Sequence, residues 1–458
     1  MKLRTVVSKS AFAQMKVHLH TMIIKSLRLF SFKTNPQIEI LQLMQDEIVY
    51  AGKGLHSLRG KAIKKAKEIA LEHDADHLLL SITNREGLFE FDSGSERVEI
   101  YLLAAEKEEI ALLKNMQTET QLKFIFYRLW CKYRVNPKLL SDQEIEEFNC
   151  LQNDVILKGD HNLITFKSKW YFLRSHVLIC TFKNDHEGAN IYCKKIIDLF
   201  ETFPEYKNDT FPSYRNALMS YLAACHRIGY YEGFEDIIST IYNLVPKTEK
   251  DEISVFEDAM FYELLYLINS VRFKKAMSLV PHINKNINRY ESLLHQSRIV
   301  SFYYNIAILY FMSAKYNDAL KYAVRVLNFE SELRLDVQHN ISVLELLLHF
   351  ELGDIALLKH QLRNMNRYLA QRKEFSGFEK LTVKYLKLLI GEKKLSEKDI
   401  FREFLCEAEN LKNIHAAHKF SMTDEITFWL HSKINNTTTE EEMKKHVEEK
   451  NTSAKIST

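Results

Sequence analysis

Apolar residues recur every three to four positions along most of the chain, a spacing that is typical of helices with one buried face. The clearest stretch is YYNIAILYFMSAKYNDALKYAVRVLN, which runs from Tyr303 to Asn328. Its two periodic segments are separated by SAKYND, a group of small and polar residues that predicts a turn. Ala307 and Ala319 are small enough to let two backbones approach closely. The pattern therefore predicts two helices packed against each other.

This stretch resembles the tetratricopeptide (TPR) repeat, whose pattern has a large residue, then Leu-Gly and Tyr, and later Ala, Phe and Ala. The matching positions are, in order, Tyr303, Ile306, Ala307, Tyr310, Ala319, Ala323 and Val326. Ala307 replaces the glycine, which keeps a small residue at the helix crossing, and Ser331 replaces the late proline. As a whole, the chain is similar to the long TPR-like proteins of bacteria. The resemblance implies an all-α fold, an α-solenoid of antiparallel helix pairs.

Weaker copies of the pattern follow one another along the chain. The positions that correspond to Tyr316 are Tyr231, Phe273 and Ile355, which gives a repeat spacing of about 40 residues. This interval exceeds the 34 residues of a standard TPR, so longer helices or connections are predicted. Earlier units are predicted around Ala189 and at residues 40–75, where Ala62 and Ala66 imitate a second helix.

Composition fits a long helical chain. The 458 residues include 46% hydrophobic residues but only 12 Gly and 6 Pro, so helix breakers are scarce. We predict a basic N-terminal helix at residues 1–38, divergent helical hairpins at 39–160, a TPR-like solenoid at 161–433 and a disordered polar tail at 434–458. The last prediction rests on the near absence of large apolar residues after Lys433.

The N-terminal segment is strongly basic, although the whole chain has a net charge of only +3. Seven Lys or Arg and no acidic residue lie between Met1 and Ile38. Such a segment suits a targeting peptide, a membrane-surface helix or a nucleic-acid-binding arm. Helical spacing also places five apolar residues on one face, namely Phe12, Leu19, Ile23, Leu27 and Phe30. We interpret the segment as a helix whose apolar face packs on the first repeat and caps it.

Basic and aromatic residues are interleaved in FIFYRLWCKYR, residues 124–134. Stacking and phosphate contacts could bind nucleic acid here. The aromatic residues also follow helical spacing, at Phe124, Tyr127, Trp130 and Tyr133. We interpret them as a buried stripe, from which Arg128, Lys132 and Arg134 extend their charged ends to solvent.

Two histidine patterns resemble metal-binding sequences. HDADH places His73 and His77 four residues apart, and HAAH places His415 and His418 three apart. Neither pattern brings a third ligand, and HDADH follows a Lys-rich helix at a point where a turn is expected. We therefore predict no metal site.

No other catalytic or cofactor motif stands out. GKGLHSLRGKA departs from a phosphate-binding loop, because five residues separate Gly54 from Gly60 and Ala62 stands where a magnesium-binding hydroxyl is needed. The six cysteines form no Cys-x-x-Cys pair, and most lie in apolar helical patterns typical of reduced core residues. No run of about 18 apolar residues is present. We expect a cytoplasmic, non-enzymatic protein with no cofactor and no transmembrane segment.

The predicted function is a protein–protein interaction scaffold that binds a peptide or partner helix in the concave groove of the solenoid. The residues predicted to line this groove are Ser301, Tyr304, Asn305, Ile308, Phe311, Asn216 and Met219. The alternative is a peptide-sensing regulator that contacts nucleic acid through the basic N-terminus, which would need three short helices before the first repeat. The expected partner is another protein or a peptide segment, whereas a small-molecule substrate and nucleic acid are not expected.

Overall fold

The computed structural model describes residues 9–31, 35–93, 98–135, 141–159, 163–329, 334–371, 377–391, 396–414 and 422–456. All regular secondary structure in these ranges is helical, which confirms the predicted all-α fold class. The helices of the first half are α1 (Lys9–Ser31), α2 (Pro36–Gly52), α3 (His56–Glu72), α4 (Asp76–Ser93), α5 (Val98–Val135), α6 (Asp142–Gln152), α7 (Val155–Lys158), α8 (Phe166–Phe182), α9 (His186–Thr202), α10 (Glu205–Asp209) and α11 (Phe211–Ile228). Those of the second half are α12 (Phe234–Tyr242), α13 (Glu249–Asn269), α14 (Phe273–Tyr290), α15 (Gln296–Met312), α16 (Tyr316–Leu327), α17 (Leu335–Leu352), α18 (Ile355–Gln371), α19 (Gly377–Ile390), α20 (Glu397–Ile414), α21 (Thr423–Asn435) and α22 (Thr439–Ile456).

Successive helices pack against their neighbours along the chain. The pair predicted from the clearest stretch is confirmed as α15 and α16, joined by a turn of three residues from Ser313 to Lys315. Ala307 on α15 and Ala319 on α16 are both 0% exposed, as a helix crossing at small residues requires. The small residues of the earlier predicted unit, Ala62 and Ala66, are likewise buried on α3.

One backbone turn recurs between successive helices in the described part of the chain. A single residue there has a positive φ of 46° to 75°, and the next N–H donates to the carbonyl five residues earlier. In α15, for example, Ala314 has φ 55° and the N–H of Lys315 donates to the Tyr310 carbonyl at 2.8 Å. This Schellman arrangement satisfies carbonyl groups that a helix end leaves without partners. The left-handed residues of these turns are Gly54, Asp74, Asn184, Gly229, Val271, Ala314, Gly353 and Asn436.

The turns recur at a nearly regular interval in the middle of the chain. From Asn184 through Gly229, Val271 and Ala314 to Gly353, one left-handed residue follows another at intervals of about 40 residues. This interval agrees with the spacing predicted from the sequence. The additional length relative to a standard TPR lies partly in the helices, since α13 has 21 residues and α14 has 18.

The chain divides into two compact units, Met1–Ala224 and Cys225–Thr458. This boundary falls inside the stretch 161–433, which the sequence predicted as one array. The first unit has one apolar cluster formed mainly by α2, α3 and α4, and another that joins α5 and α6 to α7 and α8. The largest fully buried side chains of the second unit are Phe234 on α12, Phe273 on α14, Phe302 and Phe311 on α15, Tyr385 on α19, Phe404 on α20 and Trp429 on α21.

The predicted packing of the N-terminal helix is wrong. The segment does form α1, but Phe12, Leu19, Ile23 and Leu27 are 48–60% exposed, so they do not pack on the first repeat. The side chain of Phe30 lies outside the described residues. Helical periodicity identifies an apolar face, but it does not determine whether another element covers that face.

The predicted disorder after Lys433 is also wrong, because residues 439–456 form α22. Thr438 precedes this helix, and its hydroxyl accepts from the N–H of Glu441 at 3.2 Å while its own N–H donates to the Glu441 carboxylate at 2.9 Å. This reciprocal pair is a capping box. Met443 is buried, and Lys444 pairs with Glu440 at 2.7 Å. A cap, ion pairs and a narrow buried face therefore stabilise a helix with few large apolar residues.

Candidate interaction surfaces

Helices α13, α15 and α17 are the first helices of three successive pairs, and each packs against the next. Side chains join them across the two contacts. Arg298 lies 3.5 Å from the carboxylate of buried Asp258, and Arg334 donates to the Ser301 hydroxyl at 3.0 Å. The Asn340 amide donates to the Tyr304 hydroxyl at 3.4 Å. We call this side of the second unit the first-helix face, defined by Asp258, Arg298, Ser301, Tyr304, Arg334 and Asn340.

The groove residues predicted on α15 separate into two groups. Ser301, Ile308 and Phe311 are 6%, 3% and 1% exposed, so their prediction as an accessible lining is wrong. Tyr304 and Asn305 are half-buried and keep an accessible part. The physical reason is that α15 packs against α13, α14, α16, α17 and α21, which leaves little of its surface open.

The two groove residues predicted on α11 belong to the first unit, whereas the first-helix face belongs to the second. Asn216 and Met219 are both half-buried. The Asn216 side-chain oxygen accepts from the Arg215 guanidinium at 3.0 Å.

Helix α21 covers the carboxyl end of α17. The indole of Trp429 is fully buried and donates to the Glu351 carboxylate at 2.6 Å, and the Lys433 ammonium binds the same carboxylate at 2.6 Å. Phe350 and Phe401 meet the Trp429 ring nearly edge-on, at 6.1 and 5.6 Å between centroids. Since α21 also packs on α15, the chain covers one end of this region with its own helix. The sequence gives no signal for this contact, because Trp429 and Glu351 are far apart along the chain.

A second surface lies on α5, where the predicted buried aromatic stripe is wrong. Phe124, Tyr127 and Trp130 are 56%, 45% and 36% exposed, and Tyr133 is half-buried. The core is filled instead by Leu122, Ile125, Phe126 and Leu129, which join the cluster with α6, α7 and α8. Both sets follow helical spacing. Periodicity alone therefore predicts two apolar faces on α5 and does not show which of them is buried.

The exposed rings of α5 contact one another. Phe124 meets Tyr127 edge-on with centroids 6.3 Å apart, and Tyr127 meets Tyr171 of α8 edge-on at 6.1 Å. Trp130 stacks on Tyr133 at 5.8 Å and on Phe126 at 6.4 Å. We call this region the aromatic-basic surface, defined by Lys123, Phe124, Tyr127, Arg128, Trp130 and Arg134.

The HDADH stretch spans the turn between α3 and α4: His73 follows α3 and His77 lies in α4, so the two histidines do not share one helix face. Asp74 adopts φ 46°, and its carboxylate accepts from the N–H of Phe166 at 3.1 Å and from the hydroxyl of Tyr206 at 2.9 Å. Lys167 donates to the Asp74 carbonyl at 3.0 Å. Asp74 therefore connects this turn to the starts of α8 and α10.

The environment near this turn disfavours the ionised form of two carboxyl groups, Asp76 and Glu119. Burial raises the pKa of Asp76, and the negative charge of Asp74 raises it further. Burial also raises the pKa of Glu119, and the nearby Lys167 opposes this effect. Within the described residues, no three His, Cys, Asp or Glu side chains are arranged to hold a metal ion. His415 and His418 lie outside the described residues.

Two glycines of GKGLHSLRGKA have structural roles in the fold. Gly54 takes φ 69° in the turn between α2 and α3, as its interpretation as a turn residue requires. Gly60 lies within α3, where an added Cβ would come within 3.2 Å of the Phe89 ring. This close packing accounts for Gly60 without a phosphate ligand.

The cysteines only partly match the prediction of core residues. All six are free thiols; Cys180, Cys193 and Cys225 are buried, whereas Cys131, Cys150 and Cys406 are exposed. Burial, reinforced by the Asp185 charge, raises the pKa of Cys180 to about 11, so its sulfur stays protonated near neutrality. Among the described helices, none has the length and apolar character needed to cross a bilayer.

Comparison of the chain with protein-family models, curated proteins and solved structures gave no match. The resemblance to TPR proteins therefore depends on the residues of α15 and α16 and on the recurring turn. The described N-terminal residues form one continuous helix of 23 residues, rather than the three short helices of a compact DNA-binding domain.

Proposed function

We propose that the chain is a non-enzymatic interaction scaffold, an α-solenoid of TPR-like helix pairs that binds a peptide segment or partner helix of another protein. The proposal places the binding site on the accessible part of the first-helix face. It also places the protein in the cytoplasm, where six free thiols remain reduced.

The observation that carries the proposal is the pair formed by Tyr304 and Asn340. These side chains come from two different helices, both are half-buried, and their polar atoms lie 3.4 Å apart. An aromatic ring beside an amide, on helices held by a packed core, offers apolar contact and hydrogen bonding at a fixed spacing. Half-buried Arg334 adds positive charge to the same face, whereas the charge of Arg298 is balanced by Asp258. These features favour a segment with one apolar anchor and nearby acceptor groups.

A selection for binding peptides from a displayed library, using the intact chain as bait, tests this proposal. The selected peptides are then measured against the unaltered protein and against Tyr304→Ala. Because a central aromatic anchor contributes about 2 kcal/mol or more, affinity should fall about thirtyfold. Ala favours helix, so the melting temperature should change little.

Tyr230→Ala is the matched control. Tyr230 is 43% exposed, lies in the turn after α11, and its hydroxyl donates to neighbouring Glu232. This variant should bind the selected peptides normally. If peptides bind Tyr304→Ala and Asn340→Ala as tightly as the unaltered protein, the first-helix face is not the binding site.

A further inference from the structure

We propose that the aromatic-basic surface of α5 is a second binding site, and that it takes an acidic peptide segment of another protein. It lies in the first unit, whereas the first-helix face lies in the second. The two sites can therefore be tested independently.

The exposed aromatic residues occupy one side of α5. Phe124, Tyr127, Cys131 and Arg134 follow one another at intervals of three and four residues, and Trp130 and Arg128 lie at the two margins of the same side. Phe124, Tyr127 and Trp130 are 56%, 45% and 36% exposed. Tyr, Trp and Arg are the residues most enriched where proteins bind one another, and exposing them together has a solvation cost that a partner would remove.

The charge of this side is positive. Lys123, Arg128 and Arg134 form no ion pair with a carboxylate of any described residue. Lys123 instead lies 5.5 Å from the centroid of the Phe124 ring. Two acidic groups lie beside this surface: Glu147 of α6 is paired with Lys132, and Glu119, one turn before Lys123, interacts with the charges of Lys167 and Lys123. A ligand that supplies carboxylates would therefore complement the guanidinium groups of Arg128 and Arg134 above all.

The arrangement of the rings favours a peptide over a nucleic acid. Base stacking needs an open ring face, but Trp130 has Tyr133 and Phe126 stacked against it, and the Lys123 ammonium lies over Phe124. Phe124 and Tyr127 meet edge-on. Edge-on rings leave notches between them, which suit Leu or Phe side chains, while Arg128 and Arg134 suit Asp or Glu carboxylates.

Fluorescence anisotropy with the intact chain tests the proposal. The probe is a fluorescein-labelled peptide of about twelve residues rich in Glu, Leu and Phe, compared with versions that carry Ser or Lys in place of Glu. An oligothymidine of similar length is the nucleic-acid probe. We expect the Glu peptide to bind at least about tenfold more tightly than the other three probes, and binding to weaken as salt rises.

Variants locate the site. Arg128→Glu with Arg134→Glu should weaken the Glu peptide at least about tenfold, and Phe124→Ala with Tyr127→Ala should do the same at unchanged charge. Lys107→Glu with Lys114→Glu reverses two exposed cations at the other end of α5, and it should leave the affinity unchanged. Circular dichroism checks that each variant remains helical.

Three results would overturn the proposal. One is that no Glu peptide binds at millimolar concentration, and another is that both double charge reversals weaken binding equally. The third is tighter binding of oligothymidine than of the Glu peptide, which would assign the surface to nucleic acid. None of these results bears on the first-helix face, because Tyr304→Ala tests that site separately.

Discussion

Val271 and Ala314 hold a backbone conformation that is unfavourable for any residue with a Cβ atom. Their φ angles are 56° and 55°, in the left-handed region, where steric contact with the carbonyl costs roughly 1–2 kcal/mol. Gly229 and Gly353 hold the equivalent positions in other pairs at little steric cost. The same turn therefore forms with and without glycine, because the surrounding helix contacts and the hydrogen bond to the carbonyl five residues earlier hold it in place.

Reciprocal substitutions at two equivalent turns test this view. Ala314→Gly should raise the free energy of unfolding by about 0.5–1 kcal/mol, since relief of the strained φ exceeds the added freedom of the unfolded chain. Gly353→Ala should lower it by about 1 kcal/mol, although space is open around that Cα. Urea denaturation measures both changes. Equal signs for the two variants would show that the turns are not equivalent.

Glu119 should make stability depend on pH. Burial raises its pKa above the ordinary 4.5, so the folded chain holds this proton more tightly than the unfolded chain. The contribution to stability is present below the ordinary pKa and is lost as pH rises through the folded one. Glu119→Gln should therefore raise the melting temperature at pH 7, and the gain should shrink as pH falls toward 4.5.

Glu147→Gln is the control, for which the expected change in melting temperature has the opposite sign. Its hydrogen bond from Lys132 lowers the pKa of Glu147, so removing this charge should slightly lower the melting temperature at pH 7. A Glu119→Gln protein that melts lower than the unaltered chain at pH 7 would contradict the interpretation of Glu119 as an unfavourable buried charge.

At the scale of single residues, the sequence predicts packing better than accessibility. Ala307 and Ala319 were identified because a helix crossing needs small side chains, and both are buried. Ile308 and Phe311 were assigned to an open groove, yet both are buried. Their burial depends on how many other helices surround α15, and this information lies outside the local pattern.

At the scale of helices, periodicity located most elements but not their environment. The apolar faces of α1 and of FIFYRLWCKYR were both recognised, and both were wrongly placed in the core. In α5 the aliphatic residues and Phe126 lie on the core side, and Phe124, Tyr127 and Trp130 remain exposed. The last helix was missed because its signal is a capping box at Thr438 and Glu441 rather than an apolar stripe.

The exposed face of α1 gives a test. Leu19→Asp with Ile23→Asp should lower the free energy of unfolding by less than about 1 kcal/mol, which is the helix-propensity cost of two exposed Asp. Leu122→Asp with Ile125→Asp is the matched change on the buried side of α5, and it should cost several times more. If both double variants are destabilised equally in thermal unfolding, the α1 face is packed in solution.

The cap of α22 gives another test. Thr438→Ala removes the hydroxyl that accepts from Glu441, at a cost of about 1 kcal/mol to that helix. Hydrogen exchange within α22 should become about fivefold faster while exchange in α15 stays the same. If the amides of residues 439–449 exchange without protection in the unaltered chain, α22 does not form.

At the scale of the whole molecule, the sequence predicts stacked helix pairs, because few breakers and regular small-residue positions favour them. The regular interval of the turns could also be predicted, since Tyr231, Tyr316 and Ile355 mark it in the sequence. The packing of α21 on α15 and α17 could not be predicted from the sequence, because it depends on a long-range contact between Trp429 and Glu351. Binding surfaces are hardest to predict, because a binding surface consists of residues that no other helix covers, and the local sequence does not show which residues these are.

The central claim is that the chain repeats one unit, two helices joined by a short left-handed turn. Hydrogen exchange of the intact chain, resolved to short peptides by mass spectrometry, tests it most directly, because the first amides of each second helix lack intrahelical partners. We predict fast-exchanging windows that begin near His186, Phe234, Phe273, Tyr316 and Ile355, each between two protected helices. Continuous protection from α15 through residues 313–319, or windows that do not recur at this regular interval, would contradict the claim.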